Sequence, residues 1–491
     1  MKKLLIVLFI FISQTFLAQS ISGIVLDKEE NPIVYATVQI DDNFGVITNE
    51  EGKFEIETKK FQPTSEVKIS FLGFKQLIIK LKDFESKTYY LEEEINTLEE
   101  VFVNGENLSL EEILKNVQQN AAANYVNTNF KQQIFHRRTY GNTMKKFDLE
   151  FEKSNIMKKR ALKKVNKSMD SLFNKMVNVT TKNYSDVLSN YYVGEKDTKL
   201  EVIKRTSLIN KKEDKSNEKM FDVFLNVFSK HLEKGETYKV KSGLFKVTDS
   251  LDMEEDFKTD KKEQETKTKY LRSNYNRIFK NNSIVKDSKL NFIFKTNKYE
   301  YTLNNTSYIN GDIVYIIDFK PKKSSAKYVG TMYVNADDFA VVKAKFQLAK
   351  GKIVSKINLK FVLGMKMINN VFKSEILFQK NKNGKYQFKF IKQVTGGYAY
   401  VSRPLKFTKN RKSRSDEKKM LKMRFLIEAN QTQKDELFFI ESDEITNANF
   451  KSITEKEKYN IENIPKYSSE IWKGYNVLAP VQEIKDYDTG E

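Results

Sequence analysis

The side chains that most often carry chemistry are scarce in this chain. Its 491 residues include no cysteine and only two histidines, His136 and His231. The lack of thiols excludes disulfides, iron–sulfur clusters, thiolate zinc sites and cysteine nucleophiles. Two histidines are too few for a His-rich metal site, or for a general base with several partners. G-x-S-x-G, P-loop, H-E-x-x-H and G-x-G-x-x-G patterns are all missing. Gly396–Gly397 follows a strand-like run and reads as a turn. Carboxylates are plentiful enough to supply a glycosidase pair, yet no spacing marks one out. The expectation is therefore no catalytic residue, no cofactor and no metal site, in a protein that is not an enzyme.

Each lone candidate has a plain structural reading. His136 lies in Phe130–Tyr140, a strand-like run with Arg137 and Arg138, and reads as a partly buried or surface histidine rather than a proton shuttle. His231 sits in an amphipathic run, Phe224–Leu232, and reads the same way. Thr48–Asn49–Glu50–Glu51–Gly52 has the look of a calcium loop, but a polar turn with glycine at positive φ explains it as well.

The charge balance narrows the partners. Lys plus Arg is 85 against 65 acids, a net of +20, and only ten of the bases are arginine. Nucleic-acid recognition leans on arginine forks, so no nucleic-acid partner is expected. Residues 20–107 carry nine bases and 18 acids, and the first 19 residues add two lysines, which leaves +27 for residues 108–491. That surface suits an anionic partner: an envelope protein, lipid headgroups or a polyanionic polymer.

The start of the chain reads as an address. Lys2 and Lys3 precede the apolar run Leu4–Ile12, and Ala18 offers a small residue for cleavage, so residues 1–18 are expected to be a secretory signal peptide and the mature chain to begin near Gln19. No later run is long and apolar enough to span a membrane.

Residues 19–107 then read as short strands separated by turns: Ile21–Asp27, Ile33–Ile40, Val46–Thr48, Lys53–Glu57, Val67–Phe71 and Leu77–Leu81. This spacing argues for a β-sandwich. The residues Ser22–Gly23–Ile24–Val25–Leu26–Asp27, Asn31–Pro32, Ala36–Thr37–Val38, Gly45–Phe54 and Ser70–Phe71–Leu72–Gly73–Phe74 carry a resemblance. Together with Leu91–Glu92–Glu93 and Leu98–Val103, they resemble the carboxypeptidase-regulatory-like domain, a transthyretin-like sandwich. Such domains stand at the front of bacterial TonB-dependent receptors and other envelope proteins. The resemblance implies an accessory module and an envelope compartment, not a reaction.

The remainder divides by composition. Residues 108–290 read as a mixed helical, Lys-rich region. In it, Ser109 and Glu112 form a capping box for a helix over Asn107–Tyr125, and Met157–Met176 has helical spacing that suits core packing better than a membrane surface. Lys211–Lys219 and Glu254–Lys269 read as loops. Residues 291–430 read as an antiparallel meander of seven or eight strands, with hairpins at Asn310–Gly311 and Asn383–Gly384. Ile353, Ile357, Leu359, Phe361 and Leu363 are expected on one apolar face, as are Tyr386, Phe388 and Phe390. Such an open sheet is similar to those of lipoprotein-carrier-like proteins. Its many lysines and the lack of an aromatic girdle argue against a membrane barrel. Residues 431–491 read as a docked tail around Trp472.

The fold class that results is mostly β with α: an N-terminal β-sandwich followed by an α+β region with a curved antiparallel sheet. The function expected is a non-enzymatic secreted cell-envelope protein, binding or scaffolding at the periplasmic side of the outer membrane. A carrier of a lipid or other apolar ligand is the alternative, and a glycan-processing enzyme the second.

Overall fold

The computed structural model describes residues 20–487, apart from 42–43, 95–107, 127–128, 209–235, 253–265, 310, 412 and 414. The signal peptide, Leu98–Val103, Lys211–Lys219, most of Glu254–Lys269 and His231 fall outside the described residues. Strand accounts for 52% of the chain and helix for 18%, so the protein is mostly β with α.

The first unit is a sandwich. One sheet orders β4 (Lys53–Glu57), β1 (Ser20–Leu26) and β7 (Thr88–Tyr90); the other orders β3 (Phe44–Ile47), β2 (Thr37–Ile40), β5 (Glu66–Ser70) and β6 (Leu77–Lys80). Alternating apolar residues of both sheets meet between them, among them Val25, Val38, Ile56 and Ile69. The run expected as one strand from Ile33 forms β2 only from Thr37. Tyr35 interrupts it in the left-handed region, φ 64°, which turns its ring out of the sandwich.

The second unit is a single 14-stranded sheet. Its main path runs β14 (Tyr299–Ile309), β15 (Asp312–Pro321), β16 (Tyr328–Asn335), β17 (Val341–Leu348), β19 (Met365–Lys380), β20 (Tyr386–Lys409), β21 (Met420–Glu444), β8 (Phe130–Ser154), β9 (Thr180–Val193), β10 (Thr198–Leu208) and β23 (Glu462–Ile464). Three further strands join its side: β11 (Thr237–Ser242) and β12 (Phe245–Asp252) as a hairpin, and β18 (Ser355–Leu359). A separate two-stranded ribbon pairs β13 (Thr266–Lys267) with β22 (Lys458–Tyr459). The path begins at β14 and ends at β23, and among the described residues these two do not pair, so the sheet stays open.

The boundaries expected at 290 and 430 do not divide this sheet. Strands β8 to β10 arise from the region read as helical, and β21 runs across residue 430. Phe130–Tyr140 of β8 was legible as a strand, but Lys-rich and Asn-rich composition hid the rest of β8 and all of β9 and β10, because a long half-exposed strand keeps only every second side chain apolar.

Helices cover one face of the sheet. Helix α1 (Leu110–Asn124) starts at the Ser109/Glu112 capping box and buries Ile113, Leu114, Val117 and Ala121. Such a cap is worth about 1 kcal/mol. Helix α3 (Thr268–Asn282), which the reading of the sequence did not anticipate, buries Leu271, Tyr275, Ile278 and Phe279 on the same face. The sandwich and the tail cover the opposite face, where Trp472 and Leu478 join Phe135, Phe390 and Phe438 in the sandwich's own apolar cluster. Trp472 is 2% exposed and meets Phe135 edge-on at 5.3 Å, so it packs and offers no ligand platform.

Strands β8, β20 and β21 are 25, 24 and 25 residues long, or roughly 80 Å. They outrun both covers and form an arm. Helix α2 (Lys159–Phe173) lies on it, with Met169 and Phe173 buried against Phe151, Leu421 and Met423. The core-packing reading of that helix fits the contacts it makes.

Candidate functional site

The sandwich docks through the turn that resembled a calcium loop. Gly52 sits at φ 72°, and a Cβ there would press on the Val25 carbonyl, which gives the turn its shape. Glu50 projects from it onto the sheet, 2.5 Å from Lys392 Nζ on β20 and 2.9 Å from Lys434 Nζ on β21. Burial would raise its pKa, but the two ammonium groups outweigh that and hold it at about 2. Asn49 donates to the Pro480 carbonyl at 3.0 Å, and Glu51 accepts from the Gln482 N–H at 2.6 Å, so the tail is clamped too. Tyr35 packs against Phe390 with ring centroids 4.3 Å apart and planes tilted by 37°, and it donates to Glu436 at 3.3 Å.

We expect Glu50→Gln to lower stability by about 1–2 kcal/mol at neutral pH, since two half-buried ammonium groups lose a shared carboxylate and, among the described residues, only Lys434 keeps another, Glu436. Glu50's contribution is present above its ordinary carboxylate pKa and vanishes as pH falls towards 2. Unfolding curves of the two proteins should therefore converge in acid, and a constant gap down to pH 2.5 would refute the clamp.

Beside this clamp the two units leave a cleft of about 860 Å³. The sandwich contributes Gln39, Ser70, Phe71 and Leu72; the sheet contributes Lys343, Glu375, Leu377, Lys389, Phe390 and Ile440. Two irregularities shape the sheet side. Leu377 pairs with Phe390 and Phe378 with Phe388, so Lys389 is an extra, bulged residue. Phe439 pairs with Ile134 and Glu441 with Gln133, so Ile440 is another. A bulge re-aims its side chain out of the strand's alternation, and both of these side chains line the cleft.

The two cleft lysines differ in their partners. Lys343 pairs with Glu375 at 3.1 Å and lies 4.7 Å from the centre of the Phe71 ring. Lys389 is 6% exposed and lies 5.1 Å from the centre of the Phe438 ring. Among the described residues it has no carboxylate or hydrogen-bond partner, and burial alone pushes its pKa down to about 8. An ammonium held this way attracts an anionic group and is readily deprotonated.

The sequence placed Tyr386, Phe388 and Phe390 on one face. The bulge corrects this: Tyr386 and Phe388 pack on the helix side, and Phe390 packs on the sandwich side. A period-2 count cannot register an inserted residue, which is why Lys389 went unnoticed.

His136 lies on β8 as expected but is fully buried, 1% exposed. Its Nε2 is 2.9 Å from Asp435 Oδ1 on β21, an oxygen that also accepts from Arg138 Nε at 2.8 Å. Next to it Arg137 donates two hydrogen bonds to the Asp186 carboxylate, at 2.9 and 2.7 Å. Burial and the Arg138 charge keep His136 neutral by lowering its pKa. These groups stitch β8 to its neighbours and do not reach the cleft lining. Gly396–Gly397, read as a turn, lies inside β20, where a Cβ on Gly397 would strike the β19 backbone at Ile368.

Residues 21–103 match the family model of the CarboxypepD_reg-like domain, so the sandwich expected at 19–107 is such a domain. No curated protein matches the chain. Among solved structures, the chain is similar to one from Bacteroides fragilis, provisionally described as membrane-associated and of unknown function. It has 7% identity and a TM-score of 0.12, over 85% of this chain and 97% of that one. So low a score says nothing about fold or role. No described helix is long and apolar enough to cross a membrane.

Proposed function

We propose that this chain is an exported, non-enzymatic protein of the cell envelope, working at the periplasmic side of the outer membrane and binding a ligand in the cleft between its sandwich and its sheet. The observation that carries the binding reading is Lys389: a bulge delivers a buried ammonium, without a carboxylate or hydrogen-bond partner among the described residues, to the wall of an 860 Å³ cleft. An isolated buried charge is costly to fold around, and a ligand's anionic group would repay that cost. Phe71, Leu72, Leu377, Phe390 and Ile440 put an apolar strip in an otherwise polar wall, so the ligand class is an anionic amphiphile. This brings the binding and carrier readings together in one site. The export reading rests on the basic and apolar start of the chain, and the envelope reading on the CarboxypepD_reg-like domain.

The test is mass spectrometry of the protein purified from envelope fractions, wild type beside Lys389→Met, with both organic and aqueous extracts analysed. The polypeptide should begin near Gln19. An anionic species should accompany the wild type in stoichiometric amount and fall at least tenfold in the variant. Clean extracts from both, or the same species at equal amounts, would overturn the cleft reading; an intact Met1 would overturn export.

A further inference from the structure

Along the edge of the arm formed by β8, β20 and β21, two hairpin tips meet head to head beside β20. Along one side of β20, β19 is the neighbour up to Met365 opposite Val401; β11 takes over from Lys241 opposite Lys406. The turn between β18 and β19, which holds the short helix α4 (Lys360–Leu363), therefore arrives from one direction. The turn between β11 and β12, at Gly243–Leu244, arrives from the other. Arg403 of β20 sits between them and locks both: Nη1 donates to the Leu363 carbonyl at 2.8 Å, and Nε to Ser242 Oγ at 2.8 Å. Gly364 closes the first turn at φ 63°, where a Cβ would collide with the Ser402 carbonyl.

These fastened tips present apolar side chains to solvent. Leu244 is 100% exposed and Phe361 99%, and Val362, Val247, Ile357 and Phe245 are each half exposed or more. The sequence pattern expected Ile357, Leu359 and Phe361 to be buried; the structure corrects this, because α1, α3 and the sandwich pack elsewhere on the sheet and α2 packs against Phe151, Leu421 and Met423 instead. Soluble chains rarely leave such side chains clustered without a use.

Cations outnumber acids around the tips. Residues 351–374 hold five lysines and no acid, and residues 396–411 hold Arg403, Lys406, Lys409 and Arg411 and no acid. Helix α2, packed on the same arm, exposes Lys158, Lys159, Arg160, Lys163, Lys164 and Lys167 around it. Facing carboxylates are already engaged: Asp249 with Lys239 and Lys246, Glu236 with Lys409, and Glu152 with Lys422 and Arg424. An apolar point flanked by an excess of cations matches an interface of acyl chains beneath anionic headgroups.

We infer that the paired tips at Leu244 and Phe361 insert into an anionic phospholipid surface, with the surrounding lysines on the headgroups, and so hold the arm against a membrane. This goes beyond the cleft reading and uses none of its residues.

The test is flotation of the full-length mature protein with vesicles of phosphatidylcholine alone, or of phosphatidylcholine with phosphatidylglycerol. Wild type should float with the anionic vesicles and much less with the neutral ones. Leu244→Asp with Phe361→Asp should lower partitioning by roughly tenfold or more for each side chain. Lys356→Glu with Lys360→Glu and Lys366→Glu should lower it on the order of a hundredfold, from about fivefold for each lysine. Unfolding midpoints should not move, because all these side chains are at the surface. Wild type that ignores both vesicles, or tip variants that float like wild type, would overturn the inference. So would a wild-type dimer that the tip variants split without any vesicle binding, since the occupant would then be a second copy of the chain. Loss of the cleft ligand would leave flotation unchanged, so the two readings fail separately.

Discussion

Lys389→Met should make the protein more stable at neutral pH, an unusual outcome for a buried substitution. The wild-type ammonium is buried in a bulge against Phe438, with no carboxylate near enough among the described residues to offset its desolvation. Its pKa falls to about 8, against roughly 10.4 in an unfolded chain. Between those two values the unfolded chain binds more protons than the folded one, so wild-type stability rises with pH through that window. Below pH 8 the penalty is complete, on the order of 3 kcal/mol. Methionine keeps the length and flexibility of the side chain and removes the charge. The variant should therefore gain up to about 3 kcal/mol at pH 7, and its advantage should shrink steadily towards pH 10. Urea unfolding of both proteins across that range reads the difference directly. A variant that is less stable at pH 7, with a gap independent of pH, would mean the ammonium has a partner in the free protein, and the ligand argument would fall with it.

Such a lysine illustrates what the sequence could and could not convey. Local signals were readable: Ser109 and Glu112 named the start of α1, Asn383–Gly384 named the β19–β20 turn, and the turns around Gly52 named the sandwich. Each depends on residues within about five positions, where backbone preference dominates. Alternation was readable until a residue was inserted. One bulge at Lys389 put Phe388 and Phe390 on opposite faces, and the apolar count along the strand is the same either way. Apolar character at Ile357, Leu359 and Phe361 was read as burial, yet whether a cover reaches a strand depends on its length and on distant elements. The docking contacts were the least legible. Glu50 meets Lys392 and Lys434 across more than 340 positions, and nothing periodic links them. A chain this rich in lysine and glutamate offers many equivalent pairs, and only the assembled sheet selects these.

Asp435→Asn should be strongly destabilising, by about 3 kcal/mol, because it takes the counter-charge from a buried cluster while leaving its shape intact. Asp435 is fully buried and accepts from His136, Arg138 and Gln433, the last at 2.7 Å. Burial alone would raise its pKa, but the hydrogen bond from His136, the Arg138 charge and the Gln433 amide more than offset this and hold it well below the usual carboxylate range. His136 is pushed the other way from a free salt-bridge partner: burial is the larger effect and keeps the ring neutral. Its Nδ1 has no partner among the described residues, which fits a neutral ring with the proton on Nε2 and a bare lone pair on Nδ1. Both shifts have the same consequence in acid. Below about pH 6.5 an unfolded histidine takes up a proton that the folded one refuses, and below about pH 4 an unfolded aspartate does the same. Wild-type stability should thus fall in two steps as pH drops, the first near 6.5 and the second near 4. In Asp435→Asn the second step should lose Asp435's share. The first should persist and extend lower, since His136 now faces Arg138 without a carboxylate between them. Unfolding free energies measured from pH 7.5 to 3.5 separate the steps. Parallel curves for the two proteins would show that Asp435 titrates normally and that β8 and β21 are held together by backbone pairing and apolar contacts alone.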